Sequence, residues 1–520
     1  MIITHTHPRF KLTQRITNEP NRDALLIETT LVSSETLSLF VLLSPHLGDS
    51  GVNNVASLGL VANRKVLWAE QGSFGLALAG VDPQNQTDAL TLCSVGYSGI
   101  SDGWQDFNQY GFLKNNYTMA GRGNVALIGE IRPHSVLALA FSASKESAAT
   151  LAISSLLQSF ETVWTNNMLQ WQAWRKYNFC PVITALGKVI PHYLCDQLNT
   201  SAMVLRCHSD KTYRGALVAS LSIPWGDYAD ERPGYHLVWP RDLTECAGAF
   251  IALGAESEAR DILRYLMATQ KNDGSWFQNQ WLGGNPFWTG IQLDQVAFPV
   301  LLAGNLADKD MLDGINVASM VRDALAYVIQ YGPISPQDRW EESNGTNPFT
   351  LAVCIAALVS GARFLEPNEA DLALKMADYW NCRLEDWCAV FDTAFGQRFG
   401  VRGYYLKTVP GIAMDDKSSL QQSLSIKNRN DDPGLLANEQ IAIDFLQLVR
   451  FGLRHADDPV ILDTLKIVDQ TLKVDLPQGP CWYRYTGDGY GEQDDGRPFN
   501  GSGTGRPWPL LTGERGHYEV

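Results

Sequence analysis

The chain has no paired cysteines, no basic surface and no long apolar run, and each absence closes off a class of protein. Its nine cysteines stand at 93, 180, 195, 207, 246, 354, 382, 388 and 481. The set is odd and contains no Cys-x-x-Cys pair, so neither a disulfide framework nor a zinc site is expected. Most fall within helical apolar patterns and read as buried free thiols of a reducing compartment. A formal net charge of −15 leaves no basic face for phosphate and excludes nucleic acid as a partner. No apolar stretch approaches the ~20 residues of a membrane span, so no membrane partner is expected. The start, Met1-Ile2-Ile3-Thr4-His5-Thr6-His7-Pro8, carries neither the basic nor the apolar region of an export signal. As it stands the chain reads as cytoplasmic, although a signal on a longer N-terminus would alter that. A strict internal repeat is also missing, which argues against a regular solenoid.

What is present is ordinary in bulk and unusual in its aromatics. With 520 residues, 45% hydrophobic and 19% charged, the chain is long enough for two or more cored domains. It holds 15 tryptophans, and Trp276, Trp281, Trp288, Trp482 and Trp508 stand in segments rich in Gly, Pro or Asn. A core needs few loop tryptophans, whereas sugar rings stack on exposed aromatic faces.

Residues 10 to about 143 alternate in the manner of strands. Segments 24–31, 37–43, 66–69, 74–78, 124–129 and 136–141 are rich in β-formers, and Gln71-Gly72 marks a hairpin. The pattern is that of a β-sandwich. From Lys145 to Trp174 the apolar spacing turns helical and reads as a linker. Beyond about 190, helices are expected near 190–208, 242–254, 256–270, 292–306, 317–331, 350–364, 368–390, 436–455 and 459–473. Long helices joined by chemically rich loops suggest hairpins set around an axis, an α/α barrel. The expected domains are 1–144, a partial β-sandwich; 145–180, a helical linker; and 181–520, a helical catalytic domain.

Four loops carry the chemistry. Arg339-Trp340-Glu341-Glu342 sets two carboxylates beside an indole. A low local dielectric disfavours a charged carboxyl, and a protonated acid in a dry cleft is what breaking a glycosidic bond requires. The plain alternative is a solvated pair at a helix start. Tyr235-His236-Leu237-Val238-Trp239-Pro240-Arg241-Asp242 leads into a helix that Asp242 can cap. In the functional reading Arg241 and Asp242 grip sugar hydroxyls between walls of Tyr235 and Trp239. Residues 274–284 hold Trp276, Trp281 and three amides, and Trp276 is the foremost stacking residue expected there. The last loop, 482–516, contains Arg484, Asp488-Gly489 and Trp508. Its acids also suit a structural Ca²⁺ ion, though EF-hand spacing is absent.

Together and in this order, these segments resemble glycoside hydrolase family 15, the glucoamylases and glucodextranases of bacterial type. Leu42-Leu43-Ser44-Pro45-His46-Leu47-Gly48 and Tyr97-Ser98-Gly99-Ile100-Ser101-Asp102-Gly103-Trp104 extend the likeness into the β-region. The resemblance implies a β-sandwich, a helical linker and an (α/α)6 barrel. It also implies an inverting exo-hydrolase that takes α-glucan or maltooligosaccharide and releases β-glucose, with no cofactor. By motif, Glu341 matches the general acid and Glu342 the neighbour that contacts the leaving sugar. Tyr235, Trp239, Arg241 and Asp242 match the pocket for the terminal glucose. Trp276, Trp340, Arg484 and Trp508 match further sugar contacts.

The resemblance also places additional strands before Phe10, and helices with the general-base glutamate after Glu519. The expected product is therefore a barrel lacking its last helices, an acid without its base, and poor activity alone. Glu514 and Glu519 are the first substitutes to consider for the base. Two further readings remain open, a silent α-glucan-binding protein and an inverting disaccharide phosphorylase.

Overall fold

The computed structural model describes residues 1–49, 51–177, 184–221, 234–431, 433–497 and 499–520. The chain divides into two compact units, essentially Met1–Asn199 and Tyr235–Val520.

Among the described residues, eleven strands build the first unit. They are β1 (Ile2–His7), β2 (Phe10–Asn18), β3 (Ala24–Ser33), β4 (Leu39–Leu43), β5 (Asn54–Val61), β6 (Arg64–Gln71), β7 (Phe74–Val81), β8 (Leu90–Tyr97), β9 (Met119–Gly123), β10 (Val125–Ile131) and β11 (His134–Ser142). Eight pair in the order β1-β2-β3-β11-β7-β6-β5-β9, and three in the order β4-β10-β8. The hairpin at Gln71-Gly72 forms as expected, with Gln71 opposite Phe74. Period-2 alternation sends Leu67, Leu78 and Leu137 toward Val95, Leu127 and Ile131, and these make the core between the sheets.

The opposite face of the large sheet is covered by helix, which corrects the linker expectation. A short helix, α1 (Gly103–Tyr110), is capped by Asp102. Next, α2 (Lys145–Ser155) begins at Ser144, whose hydroxyl accepts the Ser147 N–H at 3.2 Å. Ala148, Ala149 and Ala152 then press α2 onto Val66, Ala77, Ala79 and Ala138, with Phe160 and Val163 of α3 (Phe160–Tyr177) in the same core. Small residues on both sides let the layers approach closely. At Gly75 a Cβ would lie 2.2 Å from the Ser144 carbonyl carbon, so only glycine fits. Residues 145–163 are thus part of the β-unit's core, and 178–183 lie outside the described residues.

Helices dominate the second unit. After α4 (His192–Cys207), which the division at Asn199 cuts, the described ones are α5 (Pro240–Ala252), α6 (Glu256–Thr269), α7 (Leu293–Asp308), α8 (Ala318–Tyr331), α9 (Pro348–Gly361), α10 (Pro367–Cys382), α11 (Leu384–Cys388), α12 (Ala394–Phe399), α13 (Gln447–Arg450), α14 (Pro459–Thr471) and α15 (Pro509–Glu519). Helix α5 packs on α6 and α7, α7 on α8 and α9, and α9 on α10. Helices α7 and α9 are buried nearly all round, as their apolar composition on every face requires. Helix α8 buries only a stripe through Met320, Val321, Ala324, Leu325 and Val328. The result is an inner layer of α5, α7 and α9 against an outer layer of α6, α8 and α10.

Two helix expectations fail. Segment 436–455 is a series of short turns, Ala437–Glu439, Ile443–Leu446 and α13. Segment 368–390 breaks at Arg383 and ends in β12 (Ala389–Phe391), paired with β13 (Gly403–Tyr405). Late strands β14 (Lys473–Leu476), β15 (Gly479–Tyr483) and β16 (Pro507–Trp508) form a small sheet leading into α15. The inner helices α5, α7 and α9 start directly after residues 239, 292 and 347, and this gathers the chemically rich loops at their N-termini.

Candidate active site

The loop between Ser335 and Gly345 is closed by two backbone hydrogen bonds between those residues, of 2.9 and 3.0 Å. Asp338 organises its interior. One carboxylate oxygen accepts the N–H groups of Trp340 at 3.1 Å and Glu342 at 3.0 Å. The other accepts Lys407 Nζ at 2.7 Å and the Thr408 hydroxyl at 3.3 Å. Burial alone would raise the Asp338 pKa, but the Lys407 charge and these bonds hold it below the usual carboxylate value. The loop then places Glu341 at φ 67°, a left-handed conformation uncommon for a side-chain-bearing residue. Such strain costs about 1–3 kcal/mol and clusters at functional sites. Gly345, at φ 157°, passes so near the Val409 carbonyl that a Cβ would meet it at 2.3 Å. Asn347 follows, and its side chain caps α9 through the Thr350 N–H at 2.8 Å.

This geometry sends the two glutamates to different surroundings. Glu341 is half-buried, and its Oε1 accepts the Trp239 indole N–H at 3.1 Å. Glu342 is 3% exposed. Its Oε1 accepts the Tyr485 hydroxyl at 3.0 Å, and its Oε2 the Lys427 N–H at 2.6 Å. Burial raises the Glu342 pKa, opposed chiefly by the Lys407 charge. The indole that touches Glu341 is therefore Trp239. Adjacent Trp340 donates its N–H to Asp444 at 2.8 Å, away from the pair.

Further aromatic rings pack on the Trp239 indole that bonds Glu341. Tyr235 and Trp239 lie 6.1 Å apart, and Trp239 meets Trp288 edge-on at 6.4 Å. The Tyr235 hydroxyl donates to that of Tyr490 at 2.8 Å. Arg241 turns to Gln292 at 2.7 Å and to buried Asp294 at 2.8 Å. Its guanidinium is thereby committed to protein partners, contrary to the expected open grip on sugar. Asp242 does not cap α5, because Trp239 is the N-cap residue and Pro240 the first helical one. Its carboxylate stays partly open, 3.7 Å from Arg241 Nε.

Arg484 is 6% exposed and bonds both oxygens of Asp488 at 2.7 Å. Four rings box its guanidinium, Trp340, Tyr485, Tyr490 and Trp508, at 5.0–5.2 Å. Trp340 and Trp508 meet edge-on at 5.5 Å. Asp488 also accepts from the Asn428 amide at 2.9 Å, so the acid considered for Ca²⁺ is spent on protein donors. Among the described residues no group of three or more His, Cys, Asp or Glu side chains forms that could hold a metal ion.

Trp276 requires a plain correction. It is 2% exposed, and its indole donates to the Leu266 carbonyl at 2.9 Å. The ring is core and is not free to stack on a sugar. Trp288, a few residues beyond that segment, is partly exposed, as Trp281 is, and its backbone is held by the Asn279 side chain at 2.8 Å. The sequence reading noted Trp288 without assigning it, and it left out Asp338, Tyr490 and Asp444. The one signal available for Trp288 was its place a few residues before an inner helix, as with Trp239.

Arg339, 5% exposed, completes the site. Its two terminal nitrogens bond both oxygens of Glu514, at 2.7 and 2.9 Å, and one also reaches Asp444. The centroids of the Trp340 and Phe349 rings each lie 4.4 Å from the Arg339 guanidinium carbon. Burial pushes Asp444 up to about 6, with Arg339 opposing and the Glu514 charge adding.

Comparison with known proteins accords with this arrangement. The family model for "Glycosyl hydrolases family 15" matches residues 196–282 and 273–514, and that for "Glucodextranase, domain N" matches 1–176. The chain belongs to glycoside hydrolase family 15. A glucoamylase of Clostridium sp. (strain G0005) is 33% identical over 100% of this chain and 72% of its own length. An uncharacterised glycosyl hydrolase of Methanocaldococcus jannaschii is 28% identical over 24% of the chain and 21% of its own. A solved bacterial glucoamylase complexed with acarbose superposes with a TM-score of 0.81 and 33% identity, over 98% of this chain and 73% of that one. This family 15 chain is accordingly a glycoside hydrolase of glucoamylase type, with a β-sandwich unit followed by a helical unit. Among the described residues no helix is long and apolar enough to cross a membrane.

Proposed function

We propose that this chain is an exo-acting α-glucan hydrolase in which Glu341 protonates the glycosidic oxygen and inversion releases β-glucose. The observation that carries this reading is the placement of Glu341. It is the one glutamate of the pair that is half-open, held in a left-handed turn and bonded to the Trp239 indole, whose ring packs against Tyr235 and Trp288. The acarbose complex of the similar bacterial glucoamylase supports an α-glucan end as substrate. Glu342 serves as an anchor between Tyr485 and Lys427, and Trp288 takes the stacking role that the sequence assigned to Trp276. Arg241 shapes the floor of the pocket from its pair with Asp294, while Asp242 meets the terminal sugar. Arg484 and Trp508 support Trp340 at its wall.

Inversion also needs a second carboxylate, about 6.5–9.5 Å from the acid, to activate water. Four carboxylates around this loop are committed elsewhere, Asp338 to Lys407, Asp444 and Glu514 to Arg339, Asp488 to Arg484, while Asp242 stays partly open beside Arg241. Glu519 pairs with Arg515 on the surface. These pairings argue against Glu514 or Glu519 as substitute bases. A positioned base is worth roughly 10²–10⁴ in rate, and slow turnover is the outcome we propose if none of these committed acids serves as that base.

The test is glucose release from maltotriose, followed by proton NMR for the anomer, with acarbose binding measured in parallel. Slow release of β-glucose, a fall of about 10²-fold or more in Glu341→Gln and tight acarbose binding are expected. Ordinary glucoamylase rates would overturn the deficit, and α-glucose would overturn inversion. The pairings above also favour a second reading, a silent α-glucan binder. Acarbose binding with no hydrolysis at any enzyme concentration would establish that one instead. Turnover that depends on phosphate would point to a phosphorylase.

A further inference from the structure

The sequence singles out Arg339 as part of the four-residue acid motif, yet its guanidinium faces no sugar pocket. It lies two residues before Glu341 and is almost wholly buried. Three separate elements converge on it. Helix α15 supplies Glu514, the turn Ile443–Leu446 supplies Asp444, and the first turn of α9 supplies the Phe349 ring. A guanidinium presents a planar fork, and here both prongs are filled by carboxylates while two aromatic rings pack on it. Asp444 uses its second oxygen to hold the Trp340 indole N–H at 2.8 Å. Arg339 and Trp340, the two residues that lead into Glu341, are thus each fixed through their side chains.

That fixation has a specific consequence for the next residue. Glu341 occupies a left-handed conformation that the chain alone would not choose. Such a conformation persists only where its surroundings over-determine it. Asp338 holds the turn from within through the Trp340 and Glu342 N–H groups. The Arg339 cluster holds it from behind, where it ties the loop to α15.

We propose that Glu514 and Asp444 are positioning residues which act through Arg339 and Trp340 to aim the Glu341 carboxyl at the scissile oxygen. This rests on Glu341 being the general acid. It also gives Glu514 a role that its sequence position did not suggest, since an acid doubly bonded to arginine is a poor base but a good anchor.

The experiment compares two substrates in the full chain. Maltotriose has a poor leaving group and needs the acid, whereas α-glucosyl fluoride has a good one and needs it little. Glu514→Gln and Asp444→Asn keep side-chain shape and remove the charge. Each is expected to lower kcat for maltotriose at least tenfold while lowering that for α-glucosyl fluoride less than threefold. Glu514→Asp, which keeps the charge, is expected to recover part of the loss. Equal loss on both substrates, or a lowered Tm with an unchanged ratio, marks a merely structural role and overturns the proposal. Glu341→Gln separates the two claims. If it does not change the ratio, the acid assignment fails. If it does while the other two variants do not, only the positioning claim fails. Acarbose titration by tryptophan fluorescence reads the same contrast without turnover. Glu514→Gln should weaken binding about as much as Glu341→Gln, and unchanged affinity in the former beside a loss in the latter overturns the proposal.

Discussion

A carboxylate in the protein interior is tolerable only when its lone pairs are filled and its charge is matched, and Asp338 meets both conditions. It takes two backbone N–H groups, a hydroxyl and the equally buried Lys407 ammonium. Replacement by Asn keeps the shape but strips Lys407 of its ion-pair partner, leaving buried Glu342 as the carboxyl its charge still acts on. Leaving one member of a buried pair unpaired costs about 3–5 kcal/mol. Asp338→Asn is therefore expected to lower urea-unfolding stability by about that much. Asp338→Asn with Lys407→Met should recover a good part of it, because the stranded charge is gone. A loss below about 1 kcal/mol in the single variant would mean that the pair does not hold the loop. Glu341 shows the same dependence from the other side, since its left-handed backbone is affordable only on a loop fixed in this way.

Elements decide which aromatic rings are free, and the segment between α6 and α7 shows how. Trp276 sits where the chain leaves α6, and its indole turns back to the Leu266 carbonyl of that helix. Trp288 sits just before α7, on backbone held by Asn279, and turns toward Trp239. Trp276→Ala is expected to cost about 3–5 kcal/mol of stability, as for a buried aromatic. Trp288→Ala should leave stability within about 1 kcal/mol and weaken acarbose at least tenfold. Urea unfolding beside fluorescence titration checks both, and the reverse pattern would return the stacking role to Trp276. Composition announces that the loops are rich in tryptophan but not which ring faces outward. That depends on partners such as Leu266, fixed only once helices have packed. The same limit hid the commitments of Arg241 to Asp294 and Arg484 to Asp488. Periodic segments were readable: β3, β6, β7 and β11, and helices α5 through α9, lie near where spacing puts them. The pattern misled at 436–455, where a buried irregular segment carries apolar residues as densely as a helix does. At 145–163 the spacing shows helix but not what it packs against, since the small residues Ala148, Ala149 and Ala152 that meet the sheet form no strong apolar stripe.

At the scale of the whole chain, buried acids with opposite pKa displacements set how stability responds to pH. The excess of 56 acidic over 41 basic residues already repels itself at neutral pH, and mild acid relieves that repulsion. Burial raises the Asp444 pKa to about 6 against the pull of Arg339, and the Glu514 charge that shares this arginine adds to the rise. A carboxyl raised in the folded state binds its proton there at a pH where the unfolded chain has released it. Its contribution to stability is full below the unfolded value of about 3.9 and is lost as pH rises through about 6. Glu342, also raised by burial, acts in the same sense. Asp338 acts in the opposite sense. Its pKa is lowered, so its contribution is present above about 3.9 and lost as pH falls through the lower folded value. Glu385, lowered by bonds to Arg454 and Tyr405 against the effect of burial, joins it. The two sets together place maximum stability on the acid side of neutrality, between roughly pH 4 and 6. Urea midpoints measured from pH 3 to 8 should rise on acidification from 7, pass through that maximum, and fall steeply below about 4. Asp444→Asn should flatten the rise between 7 and 5 while leaving the steep acid fall in place, because that fall belongs to Asp338 and its partners. A variant that keeps the full rise would show that the proton taken up near pH 6 does not reside on Asp444.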